Sequence, residues 1–125
     1  MFPKINPLQT KSWQDLEDHF SQNDFELRTL FQYNPERFSQ FSIEKENYLF
    51  DYSKNLIDDK TLELLLNIAE ECKVEEAIKA MFSGEIINET EHRAVLHTAL
   101  RDFSPDPILV DGENIKPEIK KVLDQ

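Results

Sequence analysis

Residues 58–84 read DDKTLELLLNIAEECKVEEAIKAMFSG, and this stretch sets the fold class. Asp58-Asp59 suit a helix start, where the open amides of a first turn favour a carboxylate. Leu62, Leu65, Leu66, Ala69 and Cys72 then recur at helical spacing as one apolar stripe, widened by Leu64 and Ile68. The pattern predicts a deeply packed helix. Val74, Ala77, Ile78, Met81 and Phe82 repeat the i, i+3, i+4, i+7, i+8 spacing, and Ser83-Gly84 supplies the left-handed residue that commonly ends a helix. The two helices are expected to form a hairpin with a kink near Lys73.

Working upstream, Ser42–Tyr52 changes to period two, with Tyr48, Phe50 and Tyr52 on one face after the polar Glu44-Lys45-Glu46-Asn47. That alternation predicts a β-hairpin. Two short helices are expected before it. Ser12 can cap the first, with Asp15 completing an approximate capping box and Trp13, Leu16 and Phe20 on one face. Asp24 can cap the second, through Leu27, Leu30 and Phe31, which Asn34-Pro35 ends because a residue before proline avoids the helical region. Downstream, Asn88 with Glu91 is expected to start a helix through Ala94, Val95, Ala99 and Leu100, stopped by Ser104-Pro105-Asp106-Pro107. Ile108-Leu109-Val110 and Asn114-Ile115 flank Asp111-Gly112, a strong short signal for a second hairpin. Pro117 suits the first turn of a last helix, whose face of Ile119, Val122 and Leu123 is just established at Gln125, so the end reads as a cut. The fold class expected is mainly α with two short β-hairpins.

Composition bounds the function. A chain of 125 residues fits one domain that buries roughly two-thirds of its unfolded surface, and 39% hydrophobic with 31% charged residues predicts a folded protein. Seven of the nine Phe residues fall in the first fifty positions, and Leu, Ile and Ala dominate afterwards, which reads as two packing layers in one unit, residues 1–125. The net charge of -11 argues against nucleic acid as a partner. Cys72 is the only cysteine, so no internal disulfide or Cys-rich metal cage is available and a reducing compartment fits best. The opening Met1-Phe2-Pro3-Lys4 lacks the apolar core of a signal peptide, and no run approaches the ~20 apolar residues of a membrane span.

Few residues offer chemistry. The two glycines, Gly84 and Gly112, both have turn roles, so neither a Walker loop nor a dinucleotide fingerprint can be built. His92 and His97 stand i, i+5, about 140° apart on a helix, where they do not easily share a metal ion even with Glu89 and Glu91 nearby. His97 on an apolar helix reads as a hydrogen-bonded core residue before a catalytic base. Arg93 and Arg101 could fork onto a sugar phosphate, yet ion pairs suit them better in so acidic a chain. Cys72, on the buried stripe, behaves as a small apolar residue. The aromatic face of Tyr48, Phe50 and Tyr52 could stack on a sugar ring or a base, but reads first as core.

Three stretches nevertheless carry a resemblance. Asp51-Tyr52-Ser53-Lys54-Asn55 is one. Met81-Phe82-Ser83-Gly84-Glu85, leading through Ile87-Asn88, Thr90-Glu91 and Arg93-Ala94-Val95-Leu96-His97 to Ala99-Leu100-Arg101, is the longest, and Pro107-Ile108-Leu109-Val110-Asp111-Gly112 is the third. With the opening Asn6-Pro7 and Trp13, they resemble the amino-terminal region of glucose-6-phosphate isomerases over essentially the whole chain. Ile86 stands where that family commonly has lysine, and Asp102-Phe103 where it has Asn-Arg.

The resemblance implies the first part of a larger α/β sugar-isomerase-domain enzyme that interconverts glucose 6-phosphate and fructose 6-phosphate. It implies no metal or organic cofactor. In the family a histidine and a lysine assist ring opening, a glutamate moves a proton between C2 and C1 through a cis-enediol, and a Ser/Thr-rich loop with an arginine holds the substrate. These groups belong to later parts of the family sequence, so no catalytic, substrate-binding, cofactor or metal residue is assigned within residues 1–125, and His97 and Glu91 receive no catalytic role. The partners implied are the sugar phosphate, the remaining domains of the same chain and a second subunit in a homodimer, with no nucleic acid and no membrane, in the cytoplasm. The other reading is a non-enzymatic helical interaction module derived from the isomerase, docking through exposed apolar surface.

Overall fold

The computed structural model describes residues 4–125, so the reading of the Met1-Phe2-Pro3 opening lies outside it. Among the described residues the fold is mainly helical with two short antiparallel hairpins, as the sequence predicts. The residues gather into two compact units. One is Asn6–Glu71; the other joins Cys72–Gln125 with Lys4 and Ile5.

The first unit opens with a 3-10 turn, Pro7–Gln9, followed by α1 (Lys11–Gln22), α2 (Leu27–Tyr33), α3 (Arg37–Gln40), a hairpin of β1 (Ser42–Lys45) and β2 (Tyr48–Asp51), and α4 (Asp59–Glu71). Thr10, not Ser12, caps α1. The 3-10 turn leaves Thr10 extended (φ -75°, ψ 153°), so its hydroxyl accepts from the Trp13 amide at 3.2 Å while Ser12 is already helical and buried. Glu26, not Asp24, caps α2 by accepting from the Thr29 amide at 3.1 Å. The chain from Phe20 to Phe25 closes with those two rings stacked, 6.2 Å between centroids, which delays the helix by two positions. Asn34 ends α2 as expected. At four residues, α3 is too short to have shown a period.

The first hairpin forms where expected, with Ile43 opposite Phe50 and Lys45 opposite Tyr48. Its aromatic face is not core. Tyr48 is 80% and Phe50 66% exposed, because two strands alone give that face nothing to pack on; only Phe41 (1%) and the half-buried Tyr52, edge to face at 5.9 Å, root the hairpin.

Asp58 starts α4 as expected, its carboxylate accepting from the Thr61 amide at 2.8 Å. The stripe that was expected to be deeply packed is packed only in part, with Leu62, Ala69 and Cys72 half-buried. Leu65 and Leu66 are exposed, and the buried line runs through Thr61 and Leu64 to the half-buried Ile68 and Glu71. Two polar contacts to α1, from Asp58 and from Glu71, hold this face of α4 inward.

In the second unit, α5 (Val74–Ser83) follows a break at Lys73, which is left-handed at φ 61°, and ends at Gly84, left-handed at φ 83°. The helix expected from Asn88 does not form. Asn88 does accept from the Glu91 amide (3.2 Å), but His92 turns left-handed (φ 51°) and the amides and carbonyls of Asn88 and Arg93 pair across a tight turn at 3.2 Å. A cap geometry therefore closes a loop, and only a 3-10 turn, Ala99–Arg101, follows. The second hairpin, β3 (Leu109–Val110) with β4 (Glu113–Asn114), turns at Asp111-Gly112 with both φ positive, as the dipeptide predicts. Pro117 lies in the first turn of the last helix, α6 (Lys116–Leu123).

Candidate functional site

The residues with chemistry to offer lie in two places. The second unit holds an open groove of about 550 Å³ that takes in His92, Arg93, His97 and Asp111 among apolar residues such as Ile86, Leu96 and Ile119. Without the expected helix, His92 and His97 are not 140° apart on one axis; both stand exposed on irregular chain, and His97 is not a core residue. Glu91 accepts from the Asn88 side chain at 3.0 Å and pairs with Arg93, so both charged groups are engaged in the turn itself. Arg101 is exposed at the end of the 3-10 turn. Beside the groove, Lys116 donates to Asp102 at 2.9 Å and to the Ser104 carbonyl at 2.8 Å; the Lys116 hydrogen bond, then those of Ser104, hold the Asp102 carboxyl down to about 2. Cys72 is half-buried. Among the described residues no three of His, Cys, Asp and Glu converge, and no helix is long and apolar enough to cross a membrane.

The first unit holds the more organised polar structure. At one end of the α1/α4 pair, the Glu71 carboxylate accepts from the amides of Lys11 and Ser12, each at 3.0 Å, so the last residue of α4 satisfies the first turn of α1. Hydrogen bonds from Ser12 outweigh desolvation and lower the Glu71 pKa. At the other end, Asp58 faces His19 Nε2 at 3.0 Å and 3.1 Å while accepting from the Thr61 hydroxyl at 2.7 Å. Burial pushes the Asp58 carboxyl up, but the Thr61 and His19 hydrogen bonds together bring it below the ordinary range. The antiparallel helices are thus clasped at both ends by carboxylates.

Arg37 is the residue that sequence reasoning missed. Its side chain is 2% exposed, lies over the Phe41 ring at 4.6 Å and the Phe31 ring at 5.6 Å, and donates to the carbonyls of Ser53, Asn55 and Ile57 at 2.7, 2.9 and 2.8 Å. Nothing local marks it, since its partners lie 16 to 20 residues away. The loop it holds begins beside Asp51, whose carboxyl is drawn down to about 2 by hydrogen bonds from the Ser53 hydroxyl and Lys54.

That loop also opens the region recognisable in other proteins, because the family model for phosphoglucose isomerase matches residues 51–125. The chain belongs to the phosphoglucose isomerase family. All three stretches of resemblance fall inside the match, whereas Asn6-Pro7 and Trp13 lie outside it. In this phosphoglucose isomerase chain the longest stretch, Met81–Arg101, builds the end of α5, the Gly84 turn and the wall of the groove. Of the departures, Ile86 (46%) and Phe103 (89%) are exposed, whereas Asp102 is half-buried and held by Lys116.

Proposed function

We propose that this chain is a structural, non-catalytic part of a cytoplasmic glucose-6-phosphate isomerase that interconverts glucose 6-phosphate and fructose 6-phosphate in glycolysis and gluconeogenesis. The family match over residues 51–125 is the observation that carries the reading. Aldose-ketose isomerisation needs a carboxylate within reach of C1 and C2, groups that open the ring and a site for phosphate, all held in one geometry. Two carboxylates support a structural role: Glu91, next to His92, lies outside the groove lining and is tied to Asn88 and Arg93, and Asp111, which does line the groove, forms the turn between β3 and β4. The catalytic groups are then supplied by other parts of the isomerase, which functions as a homodimer without a cofactor.

An assay that couples fructose 6-phosphate formation to a downstream enzyme tests this. The purified 125-residue chain is expected to stay at the no-enzyme background while the complete gene product turns over. Turnover by the chain that survives removal of host isomerase and disappears in His97→Ala or Glu91→Gln overturns the non-catalytic role.

A further inference from the structure

The geometry points to Arg37 as a positioning residue that locks α1 to α4 at one end, by fixing the backbone that presents Asp58 to His19. A guanidinium is planar, and its N–H groups leave in set directions. For Nε and Nη2 to reach the carbonyls of Ser53, Asn55 and Ile57 together, alternate peptides of this loop must turn toward one plane. The loop shows that bend: the Asn55 amide donates back to Tyr52 at 3.1 Å and the Ile57 amide to Asn55 at 2.9 Å. The last carbonyl held, that of Ile57, belongs to the peptide that joins Asp58. Asp58 in turn begins α4 with its own carbonyl, 3.0 Å from the Leu62 amide, and meets Thr61 and His19 with its carboxylate. Without Arg37, the buried Ser53 carbonyl and the half-buried Ile57 carbonyl lose this donor, while Asn55 keeps the Ile57 amide, and the loop has reason to unbend at its Ile57 end, carrying Asp58 away from His19. Lysine keeps the charge but lacks the planar fork.

Amide hydrogen exchange and the His19 ring resonances, followed by NMR in the full chain, test the linkage. In Arg37→Lys, the Thr61 and Leu62 amides are expected to exchange about tenfold faster or more, the shift that follows loss of a charge-assisted hydrogen bond from a local opening equilibrium. The His19 ring signals are expected to move, while the Lys11 and Ser12 amides at the opposite clasp keep their protection. Unchanged Thr61 exchange, or equal acceleration at Lys11 and Ser12, overturns the proposal. An Asp58→Asn background provides the second measurement: there Arg37→Lys is expected to leave the His19 signals where Asp58→Asn alone puts them, and an additive displacement overturns the linkage.

Discussion

Gly84 and Gly112 share a left-handed backbone, φ 83° in both, yet a methyl group added at each meets different surroundings. At Gly112 it points into open space; at Gly84 it would lie 2.6 Å from the backbone oxygen of Leu109. Gly112→Ala is therefore expected to destabilise by about 1 kcal/mol, the ordinary penalty of a side chain in that conformation. Gly84→Ala carries the same penalty plus a backbone clash that no rotamer relieves, so urea denaturation should show a clearly larger loss. Equal losses would mean that the β3 strand gives way easily. Both glycines were legible from sequence because a turn announces itself locally. Arg37 was not, because the three carbonyls that define it come from a loop whose approach no local pattern records.

At the level of elements, α4 shows where the pattern misled. Periodicity found the helix, its start at Asp58 and its break near Lys73, but ranked its faces by apolar width alone. The face turned inward is the one that brings Asp58 and Glu71 to α1, a preference set by partners 39 and 60 residues away. The helix expected at Asn88 failed for a related reason: the cap was read correctly, but a left-handed His92 stops propagation. Because both clasp carboxyls titrate below the ordinary 3.8 of Asp and 4.5 of Glu, the unfolded chain takes up protons first. Their stabilisation is complete above pH 4.5 and is lost as pH falls through the folded values. The thermal midpoint should accordingly drop on acidification below that pH, and the combined Asp58→Asn, Glu71→Gln variant should flatten the slope. Some slope should remain from Asp51 and Asp102, each near 2. An unchanged slope would show that the clasps do not couple to folding. The first hairpin offers a contrast within one element. Tyr48→Ser, on the exposed face, should change stability by no more than about 0.5 kcal/mol, whereas Phe41→Ala at the buried root should lose about 3–5 kcal/mol. Similar losses in chemical denaturation would place the hairpin's aromatic face in the core after all.

For the molecule as a whole, a net charge of -11 sits on a surface that also exposes Phe20, Tyr33, Phe50, Phe82 and Phe103. Self-repulsion and apolar attraction oppose each other, and salt separates them, since the screening length falls from about 10 Å at 0.1 M to about 3 Å at 1 M. Light scattering of the 125-residue chain should register a higher apparent mass in concentrated salt. A monomer at every ionic strength would show that the apolar residues are too scattered to associate, and would weigh against an interaction module. The Glu71 clasp has a bearing on synthesis as well. The amide of Ser12 leaves the ribosome 59 residues before the carboxylate that satisfies it, an interval of about 3–12 s at ordinary translation rates. Until then Thr10 alone caps the start of α1, and the amides of Lys11 and Ser12 are left to water.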